Sequence, residues 1–240
     1  MKYGILGDVH ANLDALQSVL AEMEKQGVKR LISVGDLVGY GAEPCEVIGT
    51  LRERKTTVVA GNHDHAAIGR LNIDFFNTYA RESAIWTRKT LGKEEKEFLG
   101  ELPWTETVED FTVVHSTLYA PELFEYIQTS YDAHLSFEQQ KSRLSFIGHS
   151  HVPVNFIKRK TVTFNTATEV RIEDDALTMI NVGSIGQPRD ENPKAVCCIY
   201  DADERVVRIS RIGYDVEKAG RKIKAAGLPE VLAERLKYGR

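Results

Sequence analysis

Aspartate and histidine stand close together within the first ten positions of the chain. Asp8-Val9-His10 supplies one oxygen and one nitrogen two residues apart, and side chains at that spacing in an extended segment point the same way. A carboxylate beside an imidazole suits manganese, iron, zinc, cobalt or nickel better than calcium. A capping aspartate beside a packed histidine would look the same, so this pair indicates a metal site only together with other motifs.

A glycine-rich loop at residues 35–41 carries a second carboxylate. It reads GDLVGYG, and three glycines in seven residues indicate unusual backbone angles or a close approach to another group. Asp36 in this loop could bridge two cations through its two oxygens. A plain glycine turn stabilised by the aspartate side chain is the alternative.

The tetrapeptide Gly61-Asn62-His63-Asp64 is a more specific motif. Asn62 offers an oxygen ligand, and His63, next along the chain, would point toward whatever the metal holds. Asp64 could fix the orientation of the His63 ring. The motif therefore predicts a catalytic histidine beside a metal ligand.

Two more histidine motifs complete the set. His115 ends an apolar segment, where a lone histidine is often satisfied by packing or by water. His149 and His151, two residues apart after a glycine, make a compact chelate.

Predicted strands explain how motifs so far apart in the chain could meet. The strands lie at 2–6, 31–34, 57–60, 111–114 and 144–147, and each ends directly before one motif. Helices predicted at 12–26 and 44–54 connect the first three, which implies parallel pairing with right-handed crossovers. Ligand sites in α/β sheets lie beyond the carboxyl ends of strands.

Seven candidate ligands at these strand ends are too many for one ion and fit two. They are Asp8, His10, Asp36, Asn62, His115, His149 and His151.

The rest of the chain predicts one domain over residues 1–240, a β-sandwich core flanked by helices. Residues 66–104 form a helical insertion, with helices at 72–91 and 93–102. A hairpin turned at Glu109-Asp110 follows, then a loop at 117–134 and a short helix begun by a capping box from Ser136 to Gln139. Later segments are strands with turns at 159–160 and 203–204, and a final helix is expected at 216–226.

Composition excludes several classes of protein. A net charge of −4 gives no strong nucleic-acid signal, and 42% hydrophobic residues suit a globular domain. No segment approaches the ~18 apolar residues of a membrane span. Gly7 and Asp8 interrupt the first apolar run too early for a signal-peptide core. Three cysteines without a C-x-x-C pair predict no disulfide framework, so a cytoplasmic location is expected.

The ordered motifs DVH, GDLVGYG, GNHD, VVHS and GHSH resemble those of the calcineurin-like metallophosphoesterase superfamily, especially its small YfcE-like phosphodiesterases from bacteria and archaea. The resemblance runs from Lys2 to about Asp201 and includes the segment at 181–189. It implies an α/β fold, a four-layer sandwich of two packed β-sheets flanked by helices. It also implies two divalent transition-metal ions, manganese first, with iron, nickel, cobalt or zinc as alternatives.

The family pattern also implies a role for each residue. Asp8, His10 and His151 would hold the first ion, and Asn62, His115 and His149 the second, with Asp36 bridging. The expected reaction is phosphodiester hydrolysis by metal-activated hydroxide, with His63 as the general acid that Asp64 keeps oriented and cationic. Ser116 stands where the family more often has glycine, and Val182 where proline is usual; Ser116 could narrow the substrate space.

Three residues are weaker candidates for contacting a small phosphoester substrate: Asn12, Tyr40 and Arg189. Each has a structural alternative, respectively helix capping, packing beneath the glycine loop and a surface salt bridge. His65 could simply be exposed, and His134 is expected at the surface.

Other functions use the same residues. A phosphomonoesterase or nucleotide pyrophosphohydrolase would share the site, whereas a non-catalytic scaffold would have lost ligands. A mononuclear regulator would need fewer of them. The oligomeric state stays open, and a homo-oligomer would fit.

Overall fold

Twelve strands and eight α-helices make up the protein, and the computed structural model describes residues 1–240. The strands are β1 Lys2–Leu6, β2 Arg30–Ser33, β3 Thr57–Val58, β4 Thr105–Val108, β5 Phe111–Val114, β6 Leu144–Ile147, β7 Val154–Lys158, β8 Val162–Asn165, β9 Glu169–Arg171, β10 Leu177–Asn181, β11 Ala195–Asp201 and β12 Val206–Ile212. The helices are α1 Leu13–Lys25, α2 Pro44–Glu53, α3 Asn62–Ala67, α4 Thr78–Thr90, α5 Lys93–Glu101, α6 Ser130–Phe137, α7 Val216–Ala225 and α8 Glu230–Tyr238. A short 3-10 helix spans Pro121–Leu123.

The strands form two six-stranded sheets. The first has the order β3-β2-β1-β11-β12-β9 and the second the order β4-β5-β6-β10-β7-β8. The strands β1, β2 and β3 are parallel, as their helical connections predict, and so are β5, β6 and β10. Each sheet therefore presents three parallel strands whose carboxyl ends share an edge.

An aromatic cluster lies between the two sheets. Phe111 of β5 meets the rings of Tyr3, Phe146 and Tyr200 edge-on, at centroid distances of 5.1, 5.4 and 5.6 Å. Tyr3 and Tyr200 belong to the first sheet, so the cluster joins the two sheets across their inner faces. Edge-on aromatic pairs add about 0.5–1.5 kcal/mol beyond the burial of their surface.

Helices cover the outer faces of both sheets. Leu16, Leu20 and Met23 of α1 pack on the first sheet, as their helical spacing predicts, and Phe137 of α6 packs on the second. The helices α7 and α8 pack on each other and around Tyr40. The four-layer sandwich that the motifs imply is confirmed. None of the helices is both long and apolar enough to cross a membrane.

Two helix starts differ from the sequence-based prediction. The helix α4 begins at Thr78, not at 72, because Asn77 accepts a hydrogen bond from the backbone N–H of Ala80 and caps it there. The helix expected at Ser136 begins at Ser130 instead. Thr129 and Asp132 form its capping box, so the predicted loop at 117–134 ends in a helix.

Three elements and the 3-10 helix were not predicted from the sequence; the three elements are the helix α3, the strand β9 and the helix α8. The three-residue strand β9 pairs with the edge of β12, and α8 follows α7 after a turn at Gly227. A strand of three residues has too short an alternation to be recognised. The predicted hairpin at Glu109-Asp110 and the turns at 159–160 and 203–204 are confirmed.

Replacing Phe146 by alanine should destabilise the protein by about 3–5 kcal/mol, because the ring is fully buried in the inter-sheet cluster. Urea unfolding followed by circular dichroism would measure the loss. Phe164→Ala is the matched control, since Phe164 is exposed on β8. An equal loss in both variants would mean that the cluster between the sheets does not stabilise the fold in this way.

Candidate metal centre

The five motifs follow the carboxyl ends of β1, β2, β3, β5 and β6, where the two sheets meet. All seven candidate side chains are buried there. Backbone hydrogen bonds join the loops at this edge: Gly148 donates to the carbonyl of His115 within the second sheet, and Gly186, in the loop between β10 and β11, donates to that of Asp8 after β1 of the first sheet. The order of strands thus brings together residues that lie up to 143 positions apart, from Asp8 to His151.

A first group of possible ligands comprises Asp8, His10, Asp36 and His151, whose ligand atoms all lie within 4.8 Å of one another. The Nε2 atoms of His10 and His151 are 3.0 Å apart. Asp36 Oδ2 is 3.5 Å from His10 Nε2, and Asp8 Oδ1 is 3.5 Å from His151 Nε2.

A second group comprises Asp36, His115 and His149, again within 4.8 Å. His115 Nε2 lies 3.1 Å from His149 Nδ1, 3.0 Å from Asn62 Oδ1 and 3.4 Å from Asp36 Oδ2. Asp36 therefore belongs to both groups, but through one oxygen. Its Oδ1 accepts a hydrogen bond from the backbone N–H of His63, which corrects the expectation that both oxygens would bridge.

The tautomers of three histidines are set by backbone carbonyls. Nδ1 of His10, His115 and His151 lies 2.9, 2.9 and 2.6 Å from the carbonyl oxygens of Val38, Val34 and Gln187. A carbonyl only accepts, so each Nδ1 carries the proton and each neutral ring presents the lone pair of Nε2 to the centre.

Those lone pairs face other lone pairs. Nε2 of His10 points at Nε2 of His151, and Nε2 of His115 points at the oxygen of Asn62. Such contacts repel unless a cation or a proton lies between the atoms. Nitrogen and oxygen donors oriented by carbonyls are the arrangement found around transition metals, so the residues fit two divalent cations.

Backbone strain is concentrated in the same residues. Five of the seven candidates have φ between 42° and 68°, in the left-handed region that non-glycine residues seldom adopt. They are Asp8, His10, Asp36, His149 and His151. Each such residue costs on the order of 1–3 kcal/mol, so the surrounding hydrogen bonds must hold the loops in place.

Two glycines leave room for the carboxylates. A Cβ atom on Gly61 would lie 2.1 Å from Asp36 Oδ1, and one on Gly148 would lie 2.4 Å from Asp8 Oδ2. Both distances are far inside van der Waals contact. Gly61 is therefore required by the position of Asp36, and Gly148 by the position of Asp8.

Asp64 holds the loop that carries Asp36. Its Oδ1 accepts from the backbone N–H groups of Leu37 and Val38, and its Oδ2 from those of Asp36 and Gly61, at 2.9–3.3 Å. The expectation that Asp64 orients the His63 ring is wrong, because its carboxylate bonds only to backbone. Asp64 is a positioning residue for the second and third motifs.

His63 stands beside the two groups with its ring against Tyr40, His10 and Phe76, at centroid distances of 4.4, 4.9 and 5.2 Å. Its Nδ1 is buried and has no hydrogen-bond partner. Burial first, then the nearby positive charge of Arg189, lowers the pKa of His63 to about 3. The ring is therefore neutral in the protein by itself, which corrects the expectation that Asp64 keeps it cationic.

Burial dominates the electrostatics of the centre. It raises the pKa of Asp36 to about 8 and, helped by repulsion from Asp36, that of Asp64 to about 7. It lowers the pKa of His115 to about 4 and holds those of His10, His149 and His151 well below the ordinary value. Burial in the centre thus disfavours the charged forms of both the carboxyl groups and the imidazoles. Bound cations would favour the ionised form of the aspartates.

The three weaker candidates occupy different surroundings. Asn12 caps α1 through Ala15, and its amide nitrogen donates to the carbonyl of Gly186, so the capping alternative describes it. Arg189 reaches the centre, with its guanidinium hydrogen-bonded to the hydroxyl of Tyr40 at 3.3 Å and to Gln187 at 3.1 Å. Arg189 and Tyr40 together therefore border the candidate ligands.

Three residues near the centre were missed. The amide nitrogen of Asn181 donates to the carbonyl of Gly148 and to Ser150, and the hydroxyl of Ser184 donates to the carbonyl of Asp8. Both lie in the segment at 181–189, whose motif-like sequence was the signal. Tyr126 stacks on His149 with a centroid distance of 4.0 Å. The only sequence signal for this contact was that the loop at 117–134 contains several aromatic residues.

The two remaining histidines are outside the centre. His65 is buried and tilted against Trp104 at 4.4 Å, so the expected exposure is wrong. His134 lies on the surface of α6, as predicted, 3.8 Å from Glu138.

Comparison with known proteins identifies relatives over the whole chain. The model of the calcineurin-like phosphoesterase superfamily domain matches residues 1–205. The uncharacterized protein MJ0912 of Methanocaldococcus jannaschii is 36% identical over 241 residues, which cover 98% of this chain and 97% of that protein.

Two crystal structures share the fold. A metallophosphoesterase from Sphaerobacter thermophilus has a TM-score of 0.88 and 36% identity, over 100% of this chain and 99% of that one. The hypothetical protein PH1004 from Pyrococcus horikoshii OT3 has a TM-score of 0.78 and 19% identity, over 100% and 98% of the two chains. At that identity the second likeness shows the fold alone.

Asp64→Asn should lower the amount of metal that the protein binds, because Asp64 holds the loop that carries Asp36. One carboxylate oxygen would become an NH2 group facing two backbone N–H donors, and each buried donor left without a partner costs about 1–3 kcal/mol. Metal content after dialysis, measured by plasma mass spectrometry, should fall relative to wild type. Asp174→Asn, an exposed aspartate, is the control. Full metal content in Asp64→Asn would contradict the positioning role.

The metal-free protein should lose stability between about pH 6.5 and pH 8. The folded pKa values of Asp36 and Asp64 exceed the unfolded value of about 3.9, so stability present at low pH is lost as pH rises through about 7 and 8. The lowered histidine pKa values act oppositely, but only up to the unfolded value of about 6.5.

Calorimetric melting in the presence of a chelator should show Tm falling as pH rises above 6.5. Saturating manganese should make this fall smaller, because it binds the ionised aspartates. Asp36→Asn should remove much of the slope. A Tm that rises steadily across this window without metal would contradict the assignment.

Proposed function

Since the chain belongs to the calcineurin-like phosphoesterase superfamily, we propose that it is a phosphodiesterase that holds two divalent transition-metal ions where its two sheets meet. The observation that carries the proposal is that the lone pairs of buried nitrogen and oxygen atoms face one another, as at Nε2 of His10 and His151. Three histidines are held by carbonyls with Nε2 inward, and Asp36 Oδ2 lies within 3.5 Å of two of them.

The proposed ligand roles follow the two groups. Asp8, His10 and His151 would hold one cation, Asn62, His115 and His149 would hold the other, and Asp36 lies next to both groups. Such cations, when bound, polarise a phosphoryl oxygen and lower the pKa of water toward ~7. The protein's own contribution is to keep the imidazoles neutral and the carboxylates aimed inward.

His63 is the proposed proton donor. It adjoins Asn62 but is absent from both ligand groups, and it lines the cavity beside them. Its Nδ1 is buried against Gly39, so Nε2 is the nitrogen that can reach a substrate. Hydrolysis adds the oxygen of water to phosphorus, releases one water proton to solvent and breaks the bond to the leaving oxygen, which takes a proton from His63. An anionic phosphoryl group raises the pKa of a neighbouring imidazole, so His63 gains that proton in the complex.

Charge supports a diester over more highly charged esters. Arg189 is the arginine that borders the centre, and it is braced by Tyr40 and Gln187. The cavity next to the centre has no lysine or arginine in its lining. A diester carries one negative charge at phosphorus, which the cations and Arg189 can neutralise, whereas further phosphates would find no cationic partner in the cavity.

The proposed activity is tested on protein stripped of metal and reloaded separately with manganese, iron, nickel, cobalt and zinc. We expect bis(p-nitrophenyl) phosphate to be hydrolysed with a higher kcat/KM than p-nitrophenyl phosphate, and chelation to abolish both activities. A preference for the monoester or for dinucleoside polyphosphates would replace diester specificity by the alternative activities. Two bound metal equivalents without hydrolysis of any ester would identify a scaffold.

His63→Gln should impair esters with poor leaving groups most. Methyl phenyl phosphate and methyl p-nitrophenyl phosphate differ in the leaving group, and general-acid help of about 10²–10⁴-fold is needed chiefly by the poorer one. The ratio of their kcat values should therefore grow at least about tenfold in the variant while metal content stays at the wild-type level. An unchanged ratio would remove His63 from the role of acid.

A further inference from the structure

A cavity of about 370 Å³ adjoins the candidate metal centre on the side of His63. Asn62, His63 and His149 form its inner end, so a phosphorus atom at the centre would have one ester group inside it. The remaining lining comes from residues 71–80, which lead into α4, from residues 123–126, and from Tyr40. They are Tyr40, Leu71, Asn72, Phe75, Phe76, Asn77, Ala80, Leu123, Phe124 and Tyr126.

Two aromatic rings at this cavity are open to solvent. Phe75 is 93% exposed and Tyr126 is 46% exposed, which is unusual for large apolar side chains beside a buried centre. One face of the Tyr126 ring is covered by His149, at 4.0 Å and an interplanar angle of 26°. The opposite face is left without a stacking partner in the protein and is available to a flat ligand.

Polar groups in the lining are amides rather than charges. Asn72 and Asn77 use their side-chain oxygens to accept from the backbone N–H groups of Asp74 and Ala80. Their NH2 groups make no hydrogen bond within the protein and remain as donors. A flat group with hydrogen-bond acceptors on its edge suits these amides and the two rings, whereas an acyl chain would leave the amide donors unused.

We propose that the cavity is a subsite for the base of a nucleoside phosphodiester, which stacks on Tyr126 and Phe75 while its phosphoryl group lies at the metal centre. The inference rests on the proposed phosphodiesterase function and names its substrate class. Stacking is available to every base because every base has a flat π-face, so the subsite selects a nucleoside without selecting one base. The uncharged lining favours a single phosphate over a polyphosphate chain.

The test compares adenosine 5′-methylphosphate with ribose 5-methylphosphate, two diesters that differ only in the base. Stacking on an aromatic side chain is worth about 1–3 kcal/mol per base, which is about fivefold or more in affinity. We expect kcat/KM for the adenosine ester to exceed that for the ribose ester by at least about fivefold in the metal-loaded wild-type protein. Phe75→Ala and Tyr126→Leu should each bring that ratio toward one.

Phe164→Ala is the matched control, because it removes another exposed phenylalanine far along the chain on β8. Its ratio should equal that of wild type. Calorimetric Kd values for adenosine 5′-monophosphate and ribose 5-phosphate provide a second comparison that does not depend on turnover. The same preference for the adenosine compound, reduced in Phe75→Ala and Tyr126→Leu, is expected.

The outcomes separate the subsite from the activity. Equal hydrolysis of both esters would overturn the subsite and leave the phosphodiesterase function standing. Hydrolysis of neither ester would count against the function, and the binding ratio would still decide the subsite. If Phe75→Ala leaves the binding ratio unchanged but lowers the sedimentation coefficient, the exposed rings cover a second copy of the chain and the proposal is overturned.

Discussion

Mutual repulsion among buried lone pairs is the constraint on which the rest of this structure depends. Nε2 atoms of His10 and His151 face each other at 3.0 Å, and the shared oxygen of Asp36 lies close to both groups of histidines. Burial makes the cost of such contacts high, because little water is present to weaken them. A cation between the atoms turns the same geometry into coordination, so the site is built for an ion rather than for the folded chain alone.

The strained backbone of the candidate ligands costs free energy, and interactions elsewhere in the fold offset this cost. The left-handed backbone of Asp8, His10 and three other candidates would relax if the loops were free. Asp64, Asn181 and Ser184 prevent this by bonding to backbone atoms of the loops rather than to the side chain of any candidate ligand. The aromatic cluster between the sheets, centred on Phe111, provides the rigid base from which all these loops project.

The two sides of the centre differ in charge and in shape. Arg189, braced by Tyr40, supplies positive charge on one side, and it also contributes to the lowered pKa of His63. On the other side the cavity between residues 71–80 and the segment at 123–126 is largely aromatic and uncharged. In the proposed function, a substrate would meet positive charge at phosphorus and a largely aromatic, uncharged surface away from it.

Sequence alone was sufficient for the features that depend on short-range patterns. Asp8-Val9-His10 and its counterparts follow apolar runs of strand length, and helical spacing in α1 requires a parallel crossover between β1 and β2. From these two facts the convergence of the seven candidate side chains could be predicted, whereas the four-layer sandwich was implied by the resemblance to the metallophosphoesterase superfamily. The hairpin at Glu109-Asp110 carries an equally local signal.

Tertiary structure alone decided which partner each polar group has. Asp64 bonds to backbone N–H groups 26–28 residues away, and no local pattern distinguishes that from orienting its neighbour His63. The same holds for the tautomers of the histidines, which depend on distant carbonyls, and for Tyr126, which lies in a segment without periodicity. Residue type and spacing determine which groups can meet, but hydrogen bonds between distant segments determine how each group is used.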